Sequence, residues 1–78
     1  MRRKEAKKLV LDALEGIINQ DLRGLVDDDT ELSELQVDDD DLEELAVELG
    51  NELALEFNFV GKTSIGALVD VVAMSDEQ

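Results

Sequence analysis

Four consecutive aspartates, Asp38, Asp39, Asp40 and Asp41, precede the run Leu42-Glu43-Glu44-Leu45-Ala46-Val47-Glu48-Leu49. A row of carboxylates at the head of an apolar-periodic segment can do three kinds of chemistry. It can cap a helix, because an aspartate there accepts hydrogen bonds from the exposed backbone N–H groups of the first turn. Asp40 with Glu43, or Asp41 with Glu44, has capping-box spacing with Asp in place of Ser or Thr. One cap is worth about 1 kcal/mol and uses only one or two of the four side chains. It can hold a hard cation through carboxylate oxygens. Asp27, Asp29, Glu31 and Asp38 fall at positions 1, 3, 5 and 12 of a twelve-residue window, but Leu32 stands where a calcium loop needs glycine, so no metal site is assigned. Finally, it can present a negative surface to a basic partner.

The rest of the composition removes other chemistries. There is no Cys and no His, so a disulfide framework, a thiolate metal site, the usual zinc ligands and the usual general base are all missing. Nothing points to an enzyme acting on its own. The formal net charge is −14, and its placement is uneven: five of the seven basic residues lie within the first eight positions. From Asp27 through Gly61 there are fourteen acidic residues and no Lys or Arg. Such a block steers toward basic protein partners and away from nucleic acid, whose phosphates need cations. The plainer reading is that the acid keeps a small protein soluble and monomeric. Either way, self-repulsion predicts a melting temperature that rises with added salt or divalent cations. An amphipathic pattern follows Arg2, Arg3 and Lys4 where a leader would need an apolar run, so a cytoplasmic location without a membrane span is expected.

Three helices are predicted to position these residues. Ala6, Leu9, Val10, Ala13, Leu14, Ile17 and Ile18 recur at three and four positions and place a helix over about Lys4 to Gln20. Its basic residues sit in the first turn, where the helix dipole disfavours them, so the start is expected to fray or to pair with the acidic half. A long polar loop follows, pinned by Leu22, Leu25, Leu32 and Leu35. The second helix carries Leu42, Leu45, Ala46, Leu49 and Leu53 on one face and ends near Leu55. Glu44, Val47, Glu48 and Asn51 project to the opposite, solvent side, and Glu44, Glu48 and Glu52 repel one another a turn apart. Gly50 either permits close approach of another helix or is tolerated at a cost of about 1 kcal/mol. Gly61 suits a left-handed turn, and Thr63 or Ser64 can cap a last helix from Ile65 to about Met74, buried through Ile65, Leu68, Val69 and Val72. With 78 residues this makes one domain, residues 1–78, that buries about 60% of its unfolded surface.

Leu35 to Leu49, with Asp41-Leu42-Glu43-Glu44-Leu45 at its centre, and Thr63-Ser64-Ile65-Gly66-Ala67-Leu68-Val69-Asp70 together resemble the second and last helices of the acyl carrier protein family. The resemblance covers nearly the whole chain and implies an all-α, acyl-carrier-protein-like bundle of three main helices. The family's short third helix is expected to shrink to one turn or vanish, since the chain is a few residues short there. In the family the second helix opens with Asp-Ser-Leu, and the serine carries 4'-phosphopantetheine. Here the matching triplet is Asp38-Asp39-Asp40, so Asp39 occupies the prosthetic-group position and no phosphopantetheine is expected on it. A carboxylate lacks the hydroxyl nucleophile that attacks the coenzyme A pyrophosphate. Ser33, Ser64 and Ser75 lie away from the motif.

The resemblance further implies that the second helix docks basic surfaces of partner enzymes, a synthase for example, with Asp38, Asp40, Asp41, Glu44, Val47 and Glu48 as contacts. The expected function is therefore a docking module of lipid or polyketide biosynthesis without its arm. Two alternatives stay open: a genuine acyl carrier whose attachment site is misregistered or altered, and a non-covalent fatty-acid binder.

Overall fold

The computed structural model describes residues 2–22, 24 and 26–75. Within them the chain is an all-α bundle of three helices: α1 (Arg3–Ile18), α2 (Asp39–Leu53) and α3 (Ile65–Ser75). A single 3-10 turn, Leu32–Leu35, interrupts the loop between α1 and α2. No strand forms among the described residues, and the one β-bridge joins Glu31 to Ser64. No helix forms between Ala54 and Ser64, where a short third helix is expected to shrink to one turn or vanish.

Each helix buries the face its spacing predicts, with some shift in the details. Ala6, Val10 and Leu14 of α1 are fully buried, and so are Leu45 and Leu49 of α2. Leu9, Ala13, Ile17 and Ile18 are only half-buried at the margin, and Leu11 enters the core although it lies off the expected stripe. In α3, Ile65, Leu68, Val69 and Val72 are all buried, as expected. α1 packs against both other helices, whereas α2 and α3 make little direct contact. Leu22, Leu32 and Val37 from the long loop and Phe59 from the α2–α3 connection complete the core. Thus Leu22 and Leu32 pin the loop as expected and Leu35 packs at its edge, while Leu25 lies outside the described residues.

Helix ends follow local chemistry. α1 stops at Ile18, two residues before the expected Gln20, because Asn19 turns left-handed (φ 57°) and its N–H bonds the carbonyl of Glu15. α2 stops at Leu53 in the same way, with Ala54 at φ 56° and its N–H on the Gly50 carbonyl. The Leu55 N–H also reaches that carbonyl, at 3.0 Å. A β-carbon on Gly50 would lie 2.6 Å from the Leu55 carbonyl oxygen, so the close approach at this glycine is by the returning chain and not by another helix. The connection then runs through Phe57 and Phe59 without regular secondary structure and turns at Gly61 (φ 90°). Ser64 caps α3, its Oγ accepting the Ala67 N–H at 3.2 Å.

The basic start of α1 is held. Arg3 bonds the Asp28 carboxylate at 2.7 Å and also pairs with Asp70, and Lys7 lies 3.5 Å from Asp28. Asp28 is thereby joined to α1, and its carbonyl accepts the Gly66 N–H of α3 at 2.9 Å. Two further backbone bonds, Leu32 N–H to Thr63 O and Ile65 N–H to Thr30 O, tie the loop to the start of α3. The hydrogen bond from Arg3, helped by the charges of Arg3 and Lys7 and opposed by slight desolvation, holds the Asp28 carboxyl below its ordinary pKa.

Candidate functional site

The aspartate quartet divides into two pairs. Asp38 is the N-cap of α2: its backbone is extended (φ −110°) and its Oδ1 accepts the Asp41 N–H at 3.0 Å. In return the Asp38 N–H donates to the Asp41 carboxylate at 3.3 Å. This reciprocal box corrects the two sequence-based candidates, Asp40 with Glu43 and Asp41 with Glu44. The helix begins at Asp39, so the box lies two or three residues earlier than those candidates place it. The extended backbone at Asp38 frees its carboxylate to reach forward, which a residue already inside the helical turn does less well. Asp39, Asp40 and Asp41 then occupy the first turn, where negative charge complements the helix dipole.

Asp39 and Asp40 are exposed and hold no hydrogen bond or ion pair among the described residues, but they face different surroundings. Asp39 borders a groove of about 400 Å³ formed with Leu32, Ser33, Val37, Leu42 and Lys62. Asp40 lies one turn before Glu44, and Glu44 one turn before Glu48, on the outward face. Val47 sits among them, 64% exposed. Of the residues expected to meet a partner, α2 therefore gathers Asp40, Glu44, Val47 and Glu48 on one surface. Asp38 and Asp41 have carboxylates engaged in the cap, and Asp39 is turned to the flank.

Val47 is not an isolated apolar residue. Open clefts of about 360 and 340 Å³ run on either side of it, and both include Ala46 and Phe57. One continues toward Gly50 and Leu55, the other toward Phe59 and Val60. Phe57 is held there by stacking on buried Phe59, with ring centroids 5.6 Å apart and planes 10° from parallel. The helical periodicity of the sequence does not reveal these clefts. The signal was present in the Phe57-Asn58-Phe59 alternation, which points successive aromatic rings to the same side of an extended segment.

The four residues at calcium-loop spacing do not converge. Asp27 Oδ1 accepts the Asp29 N–H at 3.0 Å and lies 3.2 Å from the Thr30 hydroxyl, and Glu31 forms a capping box with Glu34 at the 3-10 turn. Among the described residues no three such side chains are placed to hold a metal ion, and no charged or polar side chain is buried. No helix is long and apolar enough to cross a membrane. Compared with protein-family models, curated proteins and solved structures, the chain matches none.

Proposed function

We propose that this protein is an acyl-carrier-protein-like module that docks basic partner enzymes through the outward face of α2 and carries no phosphopantetheine arm. One observation supports this most directly. Asp40, Glu44 and Glu48 surround exposed Val47, and none of the three carboxylates has a partner within the described residues. Carboxylates kept a turn apart repel each other by roughly 0.2 to 0.5 kcal/mol per pair, a cost that a bound cationic surface reverses. In this reading the protein is a cytoplasmic monomer, its partners are proteins of lipid or polyketide assembly, and nucleic acid is not bound. It is not itself an enzyme. Asp39 replaces the hydroxyl that covalent carriage needs, and its carboxylate borders the flanking groove instead.

Incubation with coenzyme A and a broad-specificity phosphopantetheinyl transferase, followed by intact-mass analysis, tests the missing arm. No mass gain is expected while a control carrier is fully modified. A gain mapped to Ser33, Ser64 or Ser75 would make the protein a genuine carrier and overturn this reading. For the docking itself, association with a basic partner is expected to slow steeply as salt rises, since exposed charges are screened beyond about 10 Å at 0.1 M.

A further inference from the structure

α1 has a helix on two sides, whereas α2 has only one: it barely touches α3, and residues 55–60 run along its other flank. The result is a helix with an apolar surface left open. Val47 rises as a ridge, Ala46 and Phe57 form the floor on both sides, and Val60, half exposed, closes one end. The charged residues around the clefts are all acidic. Glu56 lines one cleft and Glu43 the other, each beside an exposed asparagine, Asn51 or Asn58, while Glu44 and Glu48 flank Val47 on the helix surface; all four glutamates are exposed and none is paired among the described residues.

From this geometry we infer that the paired clefts receive one amphipathic, basic helix of a partner protein, which completes the bundle where the chain itself places none. The inference rests on the docking reading above and specifies its partner. Two apolar side chains spaced one helical turn apart on the incoming helix straddle Val47, one in each cleft, as anchors at i and i+4 do in helix-in-groove recognition. Lysine and arginine on the flanks of that helix meet the glutamates of the rim. Charge complementarity selects a cationic helix over an acidic or neutral one, and the paired depressions select an amphipathic helix over an evenly basic surface. Phe57 stacks on the buried Phe59 ring, so the floor is already in place before binding.

The test uses the full chain, labelled with nitrogen-15, and two synthetic peptides of about eighteen residues. One places leucine at alternating three- and four-residue spacing on a lysine background; the other has the same composition scrambled to remove the apolar face. The amphipathic peptide is expected to shift the amides of 43–60 and to bind about tenfold tighter than the scrambled one. Val47→Asn, at an exposed position that tolerates a polar residue, is expected to weaken the amphipathic peptide about tenfold and leave the scrambled one unchanged. Equal binding of both peptides along α2, insensitive to Val47→Asn, would overturn the cleft inference while leaving charge-based docking standing. Shifts spread over the Asp27 to Glu34 loop, or no binding at α2 by either peptide, would overturn both.

Discussion

Arg3 and Lys7 at the start of α1 reach Asp28, and Arg3 also reaches Asp70, whereas Asp39, Asp40, Glu43, Glu44, Glu48 and Glu52 of α2 have no partner among the described residues. The first region uses its charges to fix the path of a loop. The second leaves them facing solvent around an apolar ridge. Charge count alone does not separate these roles, because both regions are densely charged and exposed. What separates them is whether the tertiary path returns an opposite charge. Asp28 is held by two cations and is also bonded through its own carbonyl to α3, so its position is determined several times over. Among the described residues no cation pairs with a carboxylate of α2, and the energy of those charges is left for an outside surface to change.

The loop side is the easier of the two to damage. Gly66 packs so closely on Asp28 that an added β-carbon would lie 2.8 Å from its carbonyl oxygen. Gly66→Ala therefore gains about 1 kcal/mol of helix propensity but must push the loop away, and a net loss of about 2 kcal/mol is expected in urea unfolding. An unchanged midpoint would show that the Asp28 junction yields easily and that the loop is held no more firmly than the charges of α2.

On the α2 side the largest effect should come from the cap, not from the exposed charges. Asp38→Ala removes the acceptor of the Asp41 N–H and one half of the box, and should destabilise by about 1 kcal/mol. Amide exchange is expected to quicken first at 39–42. A uniform increase over the whole chain would mean that the start of α2 unfolds only with the rest of the bundle.

A smaller effect, with a defined pH dependence, is expected at Asp28. Its carboxyl is held below the ordinary value, first by the Arg3 hydrogen bond, so the ionised form is favoured more in the folded state than in the unfolded one. That contribution is complete above the unfolded value of about 3.9 and is lost as the pH falls through the lower folded-state value. Because the pair is half exposed, Asp28→Asn should cost less than about 1 kcal/mol at neutral pH. The two proteins should become equally stable near the acid end, and a difference that persisted there would assign the effect to packing instead of charge.

The smallest effect carries the opposite sign. Glu52 stands one turn from Glu48, so Glu52→Gln should stabilise by roughly 0.2 to 0.5 kcal/mol and reduce the rise in melting temperature on adding salt. Destabilisation by this change would mean that a cation does reach α2, and the comparison between the two regions would fail.

By itself the sequence determined the three main helices and most of their buried faces, and it narrowed the cap of α3 to Thr63 or Ser64. Helical periodicity is a local property, and Leu42, Leu45 and Leu49, or Ile65, Leu68, Val69 and Val72, display it whatever the loops do. It also determined that Glu44, Val47 and Glu48 point outward, because a helix has a fixed angle per residue. The shared position of Asp40 with them was legible in the same way, but the division of the quartet was not. Which aspartate caps the helix depends on where the chain leaves the 3-10 turn, and that is set by Leu32 and Val37 entering the core. Tertiary structure alone decided the meeting of Arg3, Asp28 and Asp70, residues far apart along the chain whose side chains meet only when the loop crosses between α1 and α3. It also decided the clefts beside Val47. Those exist because Ala54 turns left-handed and sends Phe57 back along α2, a path dependent on the close approach that Gly50 permits.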